Sequence, residues 1–328
     1  MSFTLTGLSF WKESLHSLQP KLQIAGECGF EVGDVVFATC CILQSLVMQL
    51  FLGKNLSSLE ELFRNLLERT AAIGQKVVIF SLKPYLQTIL KQQSIPSNWD
   101  DIILLTGEIM NEEVYLSELE ESGNQSFKVL TYMVKAELAE KFEYFDVAEP
   151  LYAWIEKNGR SIHLSHGLLP LWGCAGHVYY RLFLKFQKRK YLCKARVYRK
   201  RLQKVLDGGC INAASSVAFL DALDVSVRGV VKDSDLLEVF TRSLDTISGF
   251  HHVKMQATFH EEAGYACMRH GLRSEAENHF QNALSIHQSL GARTKYQWLM
   301  EKLEKEMISK PFEFSNNSSQ KTHRSVFD

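Results

Sequence analysis

The stretch EEAGYACMRHGLRSEAENHFQNALSIHQSLG, Glu261 to Gly291, decides the fold class. Its small and apolar residues recur at helical spacing on either side of Gly271, so it reads as two helices joined by a tight turn. Gly264 removes a side chain from the first helix where another helix must come close. Ala276, Phe280 and Ala283 then form a small–large–small face on the second helix, on which the first can rest. Two amphipathic helices with so short a connection pack antiparallel, and neither covers its whole apolar stripe alone. Such a hairpin needs neighbours.

The Ala-x3-Phe spacing matches the core of the tetratricopeptide repeat, although the early Trp and Leu and the late Pro are missing and Cys267 stands in place of the consensus tyrosine. Weaker copies lie upstream. Ala136 precedes one turn and Ala148 and Tyr152 follow it, while Ala222 and Gly229 repeat the first half of the unit. Further helices are expected from Asp34, which can cap, to Phe51, over Lys76–Gln93, and in a near-continuous series from Ser126 to Met307. Ser57 and Ser58 each have a Glu three residues on, the capping-box spacing, ahead of the stripe Leu59, Leu62, Phe63, Leu66 and Leu67. Ser94–Gly107 reads as a loop, and the Ser/Asn-rich residues from Ser309 as a disordered tail. The expected organisation is a lead-in over 1–28, cut short at its start, a helical solenoid over 29–308, and a tail over 309–328.

Composition agrees. Six prolines and nineteen glycines in 328 residues are too few for the many turns of a sandwich or barrel. Thirty-seven basic residues balance thirty-seven acidic ones, so the chain as a whole is not drawn to nucleic acid or to a membrane. The seven cysteines are odd in number and scattered, and the start lacks a basic region followed by an apolar core, which together indicate a reduced, cytoplasmic protein. Val35–Gly53 runs without a charge at nearly the length of a membrane span, but Thr39, Gln44, Ser45 and Gln49 interrupt it, and a solenoid helix covered on both sides is equally apolar. No membrane contact is expected.

The stretches GFEVGDVVFA (Gly29–Ala38), FLGKNLSSLEEL (Phe51–Leu62), LKPYLQTIL (Leu82–Leu90), LLTGEIMNEE (Leu104–Glu113) and LGARTKYQWLMEK (Leu290–Lys302) occur in an order and spacing that resembles a known region. It is the tetratricopeptide-like helical region that follows the AAA-type ATPase domain in large signalling proteins, which also carry serine/threonine-kinase-like and histidine-kinase modules. The resemblance implies a partner-binding or signal-coupling region, free-standing or a fragment of a longer protein. It implies no catalysis within this chain. Gly53-Lys54 lacks the earlier glycine and the Ser/Thr of a phosphate-cradling loop, and neither the HRD nor the DFG element of a kinase occurs.

Other constellations read as structural. His163, His166, Cys174 and His177 have paired gaps like those of zinc ligands, but apolar residues fill the space between and the set holds one thiol. They are read as core or surface residues. His260-Glu261-Glu262 is not HExxH, because Gly264 occupies the second histidine position, and no G-x-S-x-G elbow occurs. Glu112-Glu113 and Glu120-Glu121 read as solvated carboxylates. No catalytic residue, metal or cofactor is assigned.

The charge pattern says more. Between Lys185 and Lys204 lysines and arginines recur with no acid, while Tyr191, Ala195, Tyr198, Leu202 and Val205 keep one apolar stripe. These cations must be solvated, matched by an acidic neighbour such as Asp100–Glu121, or used on an anionic partner. Lys190, Lys194, Arg196, Arg199, Lys200 and Lys204 are the candidate contact residues. The sequence therefore predicts an all-α solenoid of antiparallel, degenerate tetratricopeptide-like helix pairs that binds an acidic protein partner. Nucleic-acid or anionic-ligand binding through 185–204 is the alternative, weakened by the scarcity of aromatic stacking platforms there.

Overall fold

Short polar side chains set many of the helix starts. In the computed structural model, which describes residues 9–159, 165–228 and 231–307, Ser14, Asp34, Asn55, Asn111 and Asn124 each accept a hydrogen bond from a backbone N–H in the first turn. That fills donors the helix itself leaves open. Fourteen α-helices follow, with no strand among the described residues, so the chain is all-α. They are α1 (Leu15–Glu31), α2 (Val35–Leu52), α3 (Leu56–Ala72), α4 (Lys76–Gln93), α5 (Glu112–Glu121), α6 (Gln125–Lys141) and α7 (Phe145–Asn158). The second half holds α8 (Ser165–Phe186), α9 (Arg189–Asp207), α10 (Ala214–Ser226), α11 (Asp233–Gly249), α12 (Val253–Arg269), α13 (Arg273–Ser289) and α14 (Arg293–Met307).

Three expectations change. Residues 1–28 are not a separate lead-in: α1 runs across that boundary and buries Leu18 and Leu22 completely. Gly26 lets α1 lie against α2, since a Cβ there would stand 2.4 Å from Ile42 Cγ1. At α3 the cap is Asn55, not Ser57 or Ser58, because Asn55 Oδ1 accepts from both serine amides and the helix starts at Leu56, ahead of them. The acidic stretch 100–121 contains a 3-10 turn (Trp99–Ile103) and α5, which buries Tyr115 and Leu119. The predicted tail, 309–328, and Gly229 lie outside the described residues.

The α12–α13 hairpin forms as its sequence requires. Phe280 is fully buried, flanked by the equally buried Ala276 and Ala283, and a Cβ on Gly264 would meet the Phe280 ring at 2.7 Å. In the α6–α7 hairpin Ala136, Ala148 and Tyr152 are buried in the same manner. Helices α2, α4, α6, α8, α10 and α12 each touch the next, while α3, α7, α9, α11 and α13 pack against them as hairpin partners. Successive contacts from Gly173 to Ser216, Gly176 to Leu220 and Tyr180 to Asp224 step the same way along α8 and α10, so these two run parallel.

The row of hairpins then closes. Units of a solenoid touch mainly their sequence neighbours, but here α12 also packs on α2. Leu56 N donates to Leu290 O at 2.8 Å and Asn55 Nδ2 to Ser289 O at 3.0 Å. A second seam joins the N-terminal segment to the turn before α10, where Asn212 accepts from Leu15 N and donates to the carbonyls of Phe10 and Glu13.

Helix α2 is long and apolar enough to cross a membrane, by length and composition. Within this fold Ala38, Cys41, Ile42, Leu46 and Met48 are buried, while Val36 near the start of the helix is exposed. Three of its polar residues have partners, with Thr39 bonding back to Val35 O, Ser45 to Gln19, and Gln49 to Lys54, while Gln44 Oε1 is buried without one.

Candidate functional site

Helix α9 buries Tyr191, Ala195, Tyr198 and Leu202, the stripe its sequence predicts, and Tyr198 stacks on Tyr179 of α8 with ring centres 5.8 Å apart. The cations occupy the rest of the helix, and the structure divides them. Arg196 reaches Asp224 at 2.7 Å and Arg199 reaches Asp221 at 2.6 Å, both on α10, while Arg201 reaches Glu156 of α7 at 2.6 Å. Lys194 donates to the Tyr179 hydroxyl, and Lys190 lies over its neighbour Tyr191. Lys200 and Lys204 are exposed and make no ion pair among the described residues. So the internal match comes from α7 and α10 and not from 100–121. The acids of that segment serve closer partners: Glu108 binds Arg64, Glu112 binds Lys135, Glu120 binds Lys128, and Asp100 accepts from Tyr144.

The other concentration of charge lies inside the ring. His177 of α8, 3% exposed, places Nδ1 2.6 Å from Glu140 of α6 and Nε2 2.9 Å from Glu262 of α12. Burial alone would lower its pKa, but the two carboxylates outweigh burial and raise it to about 9, so the ring is an imidazolium. Glu262 continues the chain to Arg181 at 3.5 Å, and Arg181 and Lys302 share Glu143 at 3.0 and 2.5 Å. Against its own burial, Glu262 is held well below the carboxylate range by Arg181 and His177.

A second cluster adjoins the first. Glu261 accepts from Lys295 at 2.7 Å and from His287 Nε2 at 2.7 Å. Burial works against its charge, yet Lys295 and His287 bring it down to about 2. His287 goes the other way: burial lowers it to about 4, so it is neutral and donates through Nε2. Lys254 pairs with Glu137, and burial lowers it to about 8. Lys141 reaches only the Gln92 amide and has no carboxylate partner among the described residues; burial and then Lys295 lower it to about 8.

Between these groups lies a cavity of about 90 Å³, lined by α6, α8, α10 and α12 and by Phe10, Phe51, His287 and Lys295. The buried ionic residues went unread in the sequence. One signal was present: Glu261 stands one turn before Gly264, on the helix face that has to meet α13. Of the four-residue zinc-like set, His177 and Cys174 have described side chains. His177 is spent on two carboxylates, burial raises the Cys174 thiol, His163 lies outside the described residues, and nothing is described of the His166 side chain. Among the described residues no group of three metal-ligating side chains is placed to hold an ion.

Compared with known proteins, the chain matches no family model, no curated protein and no solved structure.

Proposed function

We propose that this chain is a non-catalytic protein-interaction module of degenerate tetratricopeptide-like hairpins, and that it presents the basic face of α9 to an acidic protein partner. The observation that carries the reading is the division within α9. Arg196, Arg199 and Arg201 are committed to acids of the same chain, whereas Lys200 and Lys204 project without a partner beside the exposed Val197. An exposed like-charged pair one turn apart is unfavourable in isolation, which makes sense where an acidic surface is met. The ionic centre supports the non-catalytic part of the reading. Its one strongly basic imidazole is held charged between two carboxylates and has no free lone pair with which to take a proton. A role in signal coupling inside the cytoplasm rests on the resemblance of the carrying stretches to ATPase-linked helical regions.

The test is charge reversal that leaves the internal ion pairs intact. The triple variant Lys190→Glu, Lys200→Glu, Lys204→Glu should keep the parent circular dichroism and lose capture of its protein partners from lysate at least tenfold, with capture by the parent falling at high salt. Unchanged capture by the variant would remove α9 as the contact face. Capture that nuclease abolishes would place nucleic acid, the alternative ligand, on the same lysines.

A further inference from the structure

Where the ring encloses its ionic centre, the pairing of charges is nearly but not fully complete. Lys254 has Glu137, His177 has Glu140 and Glu262, Arg181 and Lys302 share Glu143, and Lys295 has Glu261. Lys141 is the cation left over, with an amide oxygen in place of a carboxylate. A charge turned away from water without a counter-charge is costly, so the cavity beside Lys141 and Lys254 suits an anion.

Acceptors are left over as well. His287 gives its Nε2 proton to Glu261, so its other nitrogen, Nδ1, carries a bare lone pair, and that atom is buried without a partner. Glu262 Oε2 is likewise buried without a hydrogen bond, and its one contact with Arg181 is 3.5 Å long. Both residues line the same cavity, and both are more than nine-tenths buried. Unsatisfied buried acceptors call for a donor. Phe51, Phe219 and Met255 supply an apolar wall between the polar groups. The volume, about 90 Å³, is well above that needed by one water and suits a molecule of a few heavy atoms.

We propose that the cavity at the centre of the ring binds a small carboxylic acid that carries a hydroxyl or amino group on the neighbouring carbon. The carboxylate takes Lys141 and Lys254, an ammonium donates to both Glu262 Oε2 and His287 Nδ1 or a hydroxyl to one of them, and the carbon skeleton lies on Phe51, Phe219 and Met255. A bound carboxylate supplies Lys141 with the counter-charge it lacks and favours its protonated form. The site is independent of the α9 contact face.

Calorimetric titration of the full chain with lactate, alanine, acetate and inorganic phosphate tests the assignment. Lactate or alanine should bind at least tenfold more tightly than acetate or phosphate, and whichever binds identifies the donor as hydroxyl or ammonium. Lys141→Met should weaken that binding about 10- to 100-fold, the effect of losing one charge-assisted hydrogen bond, while the unliganded variant melts no lower than the parent. Met255→Trp, which fills the cavity from its apolar side and leaves every charge in place, should abolish binding. Binding of acetate or phosphate as tight as that of lactate and alanine overturns the proposal. So does unaltered affinity in Met255→Trp, or the absence of heat with all four probes, which would leave the cavity to water.

Discussion

Helix α9 and the centre of the ring are built from the same residue types under opposite conditions. On α9 the arginine–aspartate pairs are a third or more exposed on at least one side, as with Arg199 at 34% and Asp221 at 39%. At the centre His177 and Glu262 are at most 7% exposed. Exposed pairs gain little, since water and salt compete for both charges and two flexible side chains must be fixed. Buried pairs are different in kind, because removing one member strands the other away from water. The comparison teaches that a census of ion pairs says nothing about stability until each pair is placed. It also separates two settings, pairs open to water on the surface and pairs shut away from it in the core.

Breaking one member of each pair should show the contrast most strongly. Glu262→Ala leaves His177 short of one carboxylate and Arg181 short of a partner, and should cost about 3–5 kcal/mol. Arg199→Ala should cost less than about 1 kcal/mol. Urea midpoints of the two variants decide the matter, and equal losses would collapse the distinction. Of similar size but of apolar origin is Phe280→Ala, expected to cost about 3–5 kcal/mol by opening a cavity against Gly264. An unchanged midpoint there would remove Phe280 from the hairpin core.

These positions differ in how far the sequence announced them. Phe280 was legible because a large residue between two alanines, opposite a glycine, has one economical packing, and the same local logic places α2, α4 and most helices after 125. Helix α1 was not, since Pro20, Gly26 and Gly29 weaken its helical signal and only contact with α2 explains the glycines, Gly26 meeting Ile42 and Gly29 meeting Ala38 and Phe37. Asn55 displaced Ser57 as a cap by a competition between neighbours that spacing rules do not rank. The closure of the ring depends on pairs such as Leu56 with Leu290, which no local period encodes. Glu140, Glu261 and Glu262 went unread because charge on a helix is usually solvated and their partners lie on other helices. For α9 the buried stripe was readable, yet the acids that match its arginines were not, being on α7 and α10 and not in 100–121.

The buried centre should also make stability depend on pH in a way the surface does not. His177 has its ordinary value at 6.5 and is raised to about 9 in the fold, so its contribution is full below pH 6.5 and is lost as pH rises through 9. The loss is on the order of 3 kcal/mol. His177→Gln should flatten that part of a plot of melting temperature against pH. Lys141 and Lys254 act with the opposite sign: lowered from 10.5 to about 8, they disfavour folding at neutral pH and relax as pH passes from 8 to 10.5. On the acid side His252, His260 and His287 are lowered from 6.5 to about 4 by burial, so stability falls as pH drops below 6.5. A difference in melting temperature between the parent and His177→Gln that stays constant from pH 6.5 to 9 would contradict the imidazolium assignment, since the two lysines act equally in both.

The smallest effect is expected on α9, and its sign is the informative part. Lys200 and Lys204 stand one turn apart, exposed, and repel each other. Lys200→Glu turns that repulsion into an attraction in the favourable order, acid ahead of base, and brings an acid within a turn of Arg196 as well. Because Arg196 is already held by Asp224 at 2.7 Å, the gain should come mainly from Lys204 and amount to about 0.5–1 kcal/mol. Salt sharpens the test. In the parent, added salt screens repulsion along this face and should raise the melting temperature slightly, whereas in Lys200→Glu it screens an attraction and the slope should shrink or reverse. A surface kept basic at some expense in stability is what a partner-binding face predicts. A loss of more than about 1 kcal/mol on the same substitution would instead show that Lys200 supports the fold.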